Sequence, residues 1–390
     1  MVNFTTAENA LKSFYLDAVT NQLNTNANPF LARIKQLESD VWGKDIRKLV
    51  SYGINGGIGA GLEDGELPKA NPNKYAQFVL TLKNLYGTIE ITDKAIRASE
   101  NNAGAFVNLL NAEMEGLVRS SALNLGRMLF GNGSGILGSV SEVISPTAFR
   151  VSNIHNFLEG QVCEVYSGGA RVAGINTMEI IAIDRRDSII HVLASGSTAG
   201  VVVGTDIVIQ GSHGLELTGL EAIFDTSRDL YGLERSTYRW LSPYETAADG
   251  GAISEIQMQS AIDFLDENSA SQVDFILCSS GVKRAYQEYL SSFKRNIDIM
   301  NLEGGYKAIS YNGIPVTSDR FCPRNTMYLL NSKEFNLHQL CDWQWLQGED
   351  GRIIKQLERR PIYTATLVKY ADLICNKPVG QARIIGITER

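Results

Sequence analysis

The longest helical pattern in the chain runs from Asn102 to Gly131 and limits how the rest can fold. Asn102 suits the N-cap, and Gly131 suits the left-handed position that follows a last turn. About thirty residues at 1.5 Å each form a rod of roughly 45 Å. We predict a spine helix against which sheets pack. The apolar residues that recur on one of its faces, at steps of three and four, include Phe106, Leu110, Met114, Leu117, Leu125 and Met128.

Size and charge exclude several classes of protein. The chain has 390 residues, which predicts two or three domains, and its 44% hydrophobic content is typical of globular proteins. Lys and Arg number 36 against 43 Asp and Glu, whereas dedicated nucleic-acid binders usually carry a basic excess. The sequence contains no apolar run of about eighteen residues and no signal-peptide core near Met1. We expect a protein made in the cytosol that does not enter a membrane.

Residues that could carry chemistry are scattered. The five cysteines include no CxxC pair, which is typical of reduced thiols in a protein without a leader. The four histidines have no HxxxH or HExxH spacing, and the strand-to-helix sequence at Ser279 to Gly281 lacks the GxSxG frame of a nucleophile elbow. We therefore expect a structural role, without catalysis, metal or cofactor.

A hinged ribbon is predicted before the spine helix. Six glycines lie between Gly53 and Gly65 in a spacing that fits neither GxGxxG nor GxxxxGK[ST], so we interpret this stretch as a hinge. Tyr75 to Ile91 forms two extended runs, which we expect to pair around a turn at Lys83 and Asn84. Such a ribbon has little core of its own and needs another surface, for which a neighbouring subunit is a candidate. Its apolar and aromatic residues include Tyr75, Phe78, Leu80, Leu82, Leu85, Ile89 and Ile91.

The N-terminal region and the region after the spine differ in predicted secondary structure. Two helical patterns, Ala7–Gln22 and Pro29–Val50, predict an arm laid on other parts or other subunits. From Val140 to Ile209 the chain forms short β runs separated by turn signals, which predicts a small inserted barrel or sandwich. This insertion is either a binding module or a domain that only adds surface contacts.

A compact α/β subdomain follows the insertion. The patterns predict a helix over Ser254–Asn268, a buried strand over Phe275–Cys278 and a helix over Gly281–Lys294. Asn312-Gly313 is a tight-turn signal between two extended runs. Further strands are expected over Met327–Leu330, Pro361–Cys375 and Ala382–Ile387, and Cys341, Trp343 and Trp345 share one face of an alternating run.

This order of parts resembles the major capsid proteins of tailed bacteriophages. The segments that carry the resemblance are DFILCSSGVKRAYQEYL, YNGIPVTSDRFCPRNTMYLLNSKEFNLHQL and YTATLVKYADLICNKP. The resemblance implies an α+β, Hong Kong 97-type capsid fold with an N-arm, an E-loop hairpin, a P-domain with a long spine helix, and an A-domain, to which a small all-β barrel-like domain is added. The implied divisions are an arm at 1–60, the E-loop and hinge at 61–101, the spine at 102–136, the β insertion at 137–213, the A-domain with P-domain strands at 214–345, and returning P-domain strands at 346–390.

The same resemblance implies a function. The chain would be a major capsid protein that self-assembles, through hexamers and pentamers, into an icosahedral shell around double-stranded DNA, without sequence-specific binding. Its partners would be itself, a separate scaffolding protein, a portal and a decoration protein, and its location the virion. The ribbon residues would mediate assembly, and the spine would straighten as the procapsid matures. Two alternatives remain: an encapsulin-like nanocompartment, and a ligand-binding protein or enzyme with its site in the β insertion.

Overall fold

The computed structural model describes residues 28–38, 45–94, 103–292, 299–301, 307–348 and 351–390. The predicted helix Ala7–Gln22 and the predicted N-cap Asn102 lie outside these ranges. The helices are α1 (Pro29–Arg33), the spine helix α2 (Ala103–Met128), α3 (Leu220–Phe224), α4 (Glu255–Ser269) and α5 (Ser280–Ser292). Short 3₁₀ helices cover Ile154–Asn156, Thr198–Gly200, Arg239–Leu241, Ser332–Glu334 and Pro378–Gly380.

The spine helix is confirmed and packs along a five-stranded sheet. This sheet has the order β1-β18-β20-β19, with β4 also paired to β20. Gly87 on β4 allows close contact with the helix, since a Cβ there would lie 2.8 Å from Leu117 Cδ1. Helix and sheet therefore share one core. The strands of this sheet are β1 (Lys35–Leu37), β4 (Lys83–Thr92), β18 (Phe335–Trp345), β19 (Lys355–Gln356) and β20 (Ile362–Cys375).

The predicted helix over Pro29–Val50 is wrong beyond its first turn. Helix α1 ends at Arg33, and residue Ile34 is already extended. Asn28 caps the helix by accepting hydrogen bonds from the backbone N–H groups of Phe30 and Leu31. The following residues form β1 and then β2 (Asp45–Gly53), which pair with strands remote in sequence. Sheet pairing has thus overridden a moderate helical pattern.

The ribbon exists, but its predicted pairing is wrong. Strand β3 (Lys74–Thr81) pairs with β2, from Asp45 opposite Thr81 to Gly53 opposite Lys74. Strand β4 instead pairs along its whole length with β20. The single residue Leu82 therefore joins two sheets, and Lys83-Asn84 is not a hairpin turn. The glycine-rich stretch predicted to be a hinge forms the connection at the end of the β2–β3 ribbon.

The insertion is a closed six-stranded barrel, which confirms the predicted barrel-like fold. Its strands follow the order β11-β5-β6-β10-β9-β7, and β11 also pairs with β7 to close the ring. Its interior is filled by its own apolar core, which includes Phe149, Phe157 and Ile190. The barrel strands are β5 (Ile136–Ser145), β6 (Ala148–Val151), β7 (Val162–Ser167), β9 (Ile175–Asp184), β10 (Ile189–Gly196) and β11 (Asp206–Ile209). A short strand, β8 (Ala170–Arg171), pairs with the end of β7.

The α/β subdomain follows the predicted order. Helix α4 begins after Ser254, whose hydroxyl accepts a hydrogen bond from the Gln257 backbone N–H in a capping box. Asn312 and Gly313 both have positive φ, as a tight hairpin turn of the predicted kind requires. The sheet has the order β12-β21-β17-β13-β16-β15-β14. Its strands are β12 (Tyr244–Ala247), β13 (Phe275–Cys278), β14 (Ile299–Asn301), β15 (Lys307–Tyr311), β16 (Ile314–Ser318), β17 (Met327–Leu330) and β21 (Ala382–Ile385).

Candidate assembly surfaces

The inner face of the β2–β3 ribbon packs on its own subunit. Phe78 is fully buried, with its ring centroid 4.9 Å from that of Tyr231. The backbone N–H of Val79 donates a hydrogen bond of 3.0 Å to the Tyr231 carbonyl oxygen. Nearer the end of the ribbon, Tyr52 stacks on Trp240, with centroids 5.6 Å apart and planes 10° apart. Contacts with residues 230–241 therefore hold the ribbon from Val79 to Tyr52, next to its end.

The end of the ribbon is apolar and exposed. We call residues 54–73, which connect β2 to β3, the ribbon tip. Its large aliphatic residues are Ile54, Ile58, Leu62 and Leu67, with exposed fractions between 77% and 89%. Monomeric proteins rarely leave several large apolar side chains uncovered in one place, so such a surface indicates a protein contact. This tip, rather than the base of the ribbon, is the surface that another molecule can cover.

The predicted ribbon residues divide between two locations. Phe78 and Leu80 are buried at the base of the ribbon, and Tyr75 on its outer face is 54% exposed. The others lie at or beyond the junction with the spine-associated sheet: Leu82 and Ile91 are partly buried, and Leu85 and Ile89 are buried in the same core as the spine helix. Their part in assembly stays a prediction.

The predicted spine residues form the core face of α2 where their side chains are described. Met114, Leu125 and Met128 are buried, and Leu117 is partly buried. Phe106 and Leu110 lie within the helix, but their side chains are outside the described part. Met114, Leu117, Leu125 and Met128 therefore pack in the core that the helix shares with the sheet, and the part of the spine residues in assembly stays a prediction.

Several buried charges were not identified from the sequence. Lys369 on β20 is fully buried and donates hydrogen bonds to Gln339 Oε1 at 2.5 Å and Asp342 Oδ1 at 2.7 Å. Burial lowers the pKa of Lys369, while the neighbouring Asp342 carboxylate opposes that shift. The one signal in the sequence is a lysine inside the mostly apolar run TLVKYADLIC. The cluster joins adjacent strands β18 and β20.

A second group of charges joins the subdomains. Arg383 on β21 forms ion pairs with Glu221 of α3, at 2.6 Å, and with Glu245 of β12. Its guanidinium also lies 5.1 Å from the ring centroid of Phe224. Because α3 packs beside the end of the spine helix, through the hydrogen bond from Leu220 N to Leu129 O, Arg383 links the α/β sheet to the spine.

A cavity of about 480 Å³ lies where the ribbon, the spine helix and the barrel meet. Its walls include Leu82, Asn124, Gln210, Leu215 and Trp343. Within the described ranges no group of three or more His, Cys, Asp or Glu residues could hold a metal ion. Nor is any described helix long and apolar enough to cross a membrane.

Comparisons with known proteins identify the fold. The sequence matches no family model and no curated protein. The structure is similar to the Cyanophage A-1(L) capsid asymmetric unit, with a TM-score of 0.57 and 13% identity over 95% of this chain and 93% of that one. It also matches the capsid of a native GTA particle, at TM-score 0.48 and 11% identity, covering 92% of this chain and 89% of that one. A match to the holo-SrpI encapsulin of Synechococcus elongatus PCC 7942 has TM-score 0.46 and 9% identity, covering 93% and 88%.

The fold assignment rests on the cyanophage structure, since the other two TM-scores are below 0.5. The similarity covers nearly the whole of both chains. The chain has the α+β fold of tailed-phage major capsid proteins, the Hong Kong 97-type fold, as the sequence predicted.

Proposed function

We propose that the chain is a major capsid protein of a tailed bacteriophage, which self-assembles through hexamers and pentamers into an icosahedral shell around double-stranded DNA. The observation that carries this proposal is the fold shared with the cyanophage capsid protein over 95% of the chain. The exposed apolar ribbon tip supports it, because a subunit of a closed assembly leaves uncovered the surface that its neighbour occupies. Scaffolding, portal and decoration proteins are the further partners proposed, and the virion is the proposed location.

Charge supports the role of a container. The chain carries a formal charge of −7, so a shell built from it would repel the phosphate backbone rather than bind it. Packaged DNA would then be enclosed without sequence-specific contacts. The role proposed for the protein is structural rather than catalytic.

Electron microscopy of the protein, expressed alone and together with its neighbouring open reading frames, tests the proposal. We expect closed shells hundreds of ångströms across, with icosahedral symmetry. Compact monomers or dimers in both preparations would contradict it. A terminase and a portal gene nearby would identify a phage shell, whereas a ferritin-like cargo gene would identify a compartment.

A further inference from the structure

The cavity beside the spine helix is built from four separate parts of the chain. Its wall comes from residues 81–86 at the junction of β3 and β4, residues 121–128 of the spine helix, residues 210–216 after the barrel, and Trp343 of β18. Its volume of about 480 Å³ lies in the range of about 300–1,000 Å³ that small organic ligands occupy in proteins. A molecule held there contacts elements that are distant in the sequence.

One hydrogen-bond donor of this wall has no acceptor. Trp343 is 4% exposed, and its indole Nε1–H has no hydrogen-bond partner among the described residues. A buried donor without an acceptor carries a desolvation cost, so it gains more from an acceptor on a ligand than an exposed donor does. Independently of the size of the cavity, the Trp343 indole therefore points to a ligand with an accepting group.

A second donor in the wall is charged. The Lys83 side chain is half-buried and forms no ion pair with any residue that the structure describes. Burial raises the pKa of Asp372 to about 6, and the Lys83 charge opposes that shift, but the two carboxyl oxygens of Asp372 already accept hydrogen bonds from Thr218 N at 2.7 Å and Thr218 Oγ1 at 3.1 Å. The Lys83 ammonium group can therefore take an anion as its hydrogen-bonded partner.

The carboxylate in the wall does not oppose an anion. Glu216 forms a buried ion pair with Arg127, so its charge is compensated. Asn124 Oδ1 accepts hydrogen bonds from Arg127 Nε at 3.1 Å and Nη2 at 2.7 Å, which leaves the amide NH₂ group of Asn124 to donate. The charge of the wall that no ion pair compensates is the positive charge of Lys83, and it favours an anionic ligand.

Apolar side chains form much of the remaining wall. Leu125 and Met128 are buried on the core face of the spine helix, Leu82 is partly buried, and Leu215 is exposed. The indole ring of Trp343 adds an aromatic surface. Such a wall suits a ligand with an apolar body, since ligand pockets usually combine apolar walls with a few polar groups that fix orientation.

We propose that the cavity is a binding site for a small amphipathic anion, namely an aromatic or aliphatic carboxylate. Its oxygens accept hydrogen bonds from Lys83 Nζ and Trp343 Nε1, and its apolar body packs on Leu125, Met128 and Leu215. The bound ligand links the junction of β3 and β4 to the spine helix, so it stabilises the arrangement of these elements in which the cavity is open. The site goes beyond the proposed function and does not depend on it.

Equilibrium dialysis of the full-length protein against naphthoate tests the site, with naphthylmethanol as a neutral probe of similar size. We expect saturable binding of naphthoate, with one molecule bound per chain. Naphthylmethanol should bind at least about tenfold more weakly, because it lacks the charge that pairs with Lys83. Equal affinity for the two probes, or no saturable binding of naphthoate at millimolar concentration, would overturn the proposal.

Substitutions at the two donors assign the binding to the cavity. Lys83→Met should weaken naphthoate binding at least about tenfold and leave naphthylmethanol binding unchanged, and Trp343→Phe should weaken naphthoate binding while keeping an aromatic ring. Lys74→Met is the matched control, because it removes an exposed charge from β3 outside the cavity. Naphthoate binding that is the same in the wild type and in all three variants would place the ligand elsewhere and refute the site.

Photolabelling of the wild type gives a readout that needs no variant. A benzophenone carboxylate, irradiated with the full-length protein, should attach to peptides that contain Met128 or Leu215, and excess naphthoate should prevent the labelling. Labels confined to other segments would refute the site. The result is independent of shell formation, because binding and labelling can be measured on free subunits and on shells, so a failure of the capsid function would not be confused with a failure of this site.

Discussion

The guanidinium of Arg127, in the last turn of the spine helix, forms an ion pair with the carboxylate of Glu216, on the segment that returns from the barrel. Both side chains are buried, with exposed fractions of 6% and 2%. Asn124 supplies a further oxygen, 2.7 Å from Arg127 Nη2. The spine helix and the segment that follows the inserted barrel are therefore joined by an ion pair that water does not reach.

Glu216→Gln should lower the free energy of unfolding by about 3–5 kcal/mol, because it leaves the Arg127 charge buried without a counter-ion. Urea denaturation followed by circular dichroism measures the change. Glu115→Gln provides the control, since Glu115 pairs with Arg119 at 3.1 Å on the exposed face of the same helix, where a pair contributes less than about 1 kcal/mol. Equal losses in the two variants would contradict the assigned role of burial.

A buried carboxyl group directly after β16 predicts a pH dependence. Asp319 is 3% exposed, and its Oδ2 has no hydrogen-bond partner. Burial raises the pKa of Asp319 to about 7, although a hydrogen bond from Phe321 N and the charge of Arg320 oppose the shift. The native state therefore holds a proton that the unfolded chain releases near pH 4. Stability from this group is complete below pH 4 and is lost as pH rises through 7.

Asp319→Asn should remove that loss. At pH 8 we expect the variant to exceed the wild type in unfolding free energy by about 2–4 kcal/mol, from roughly three pKa units at 1.36 kcal/mol each as an upper bound. Near pH 4 the two should be similar. Thermal unfolding at several pH values checks this, with the exposed Asp64→Asn as control. A stability difference that does not change between pH 4 and pH 8 would contradict the prediction.

The close contact between Glu389 and Gly281 predicts that substitutions at these two residues are energetically coupled. Glu389 Oε1 accepts hydrogen bonds from Ser279 Oγ at 2.5 Å and Asn325 N at 2.9 Å, beside the start of α5. A Cβ on Gly281 would lie 2.5 Å from the Glu389 carboxyl carbon. Gly281→Ala should therefore destabilise the protein, by about 1–3 kcal/mol. In the Glu389→Gly background the same change should cost much less, because the Glu389 carboxyl group and Cβ, which would lie 2.5 and 2.6 Å from the new methyl group, are both absent.

A double-mutant cycle of denaturation free energies measures this coupling. Glu288→Ala serves as the control background, because Glu288 forms an exposed pair with Arg390 and does not contact Gly281. Additive effects of Gly281→Ala and Glu389→Gly would show that the segment does not pack against the start of α5 as described.

Parts of this fold were predictable because their signals are local. The spine helix has a sustained helical period, and β13 and the Asn312-Gly313 hairpin turn have short, strong signatures. The pairing of the ribbon was not predictable in this way. Strand β3 lies one residue from β4 but pairs with β2, across twenty intervening residues, whereas β4 pairs with β20 near the other end of the chain.

Burial of apolar side chains is the physical reason why β4 pairs with β20 rather than with β3. Strand β4 places Leu85 and Ile89 in the core of the spine helix, and it pairs along its whole length with β20. Arg127 and Glu216 are 89 residues apart, and neither residue type signals a partner locally. Lys369 and Asp342 are likewise distant in the sequence, 27 residues apart. Such pairings depend on the complete fold, so no period or spacing in the sequence reveals them.

The two ends of the barrel insertion lie close together, which predicts that the insertion can be removed without unfolding the rest of the chain. Gly214 N donates a hydrogen bond of 2.8 Å to Ser134 O, so the two ends of the insertion lie side by side. The barrel also has a hydrophobic core separate from that of the spine. Joining Ser134 to Gly214 through a short Gly-Ser linker should leave the spine, the ribbon and the α/β subdomain folded, since Arg127 and Glu216 both remain.

Circular dichroism and urea denaturation of this deletion variant should show one cooperative transition, and residues 135–213 expressed alone should give a folded β domain. Glu216→Gln in the deletion background should destabilise it as in the full chain, because the buried Arg127 charge is the same. If the barrel is soluble but the deletion variant aggregates, the rest of the fold depends on barrel contacts other than those near Ser134 and Gly214. An unfolded barrel would show that its core is not sufficient by itself.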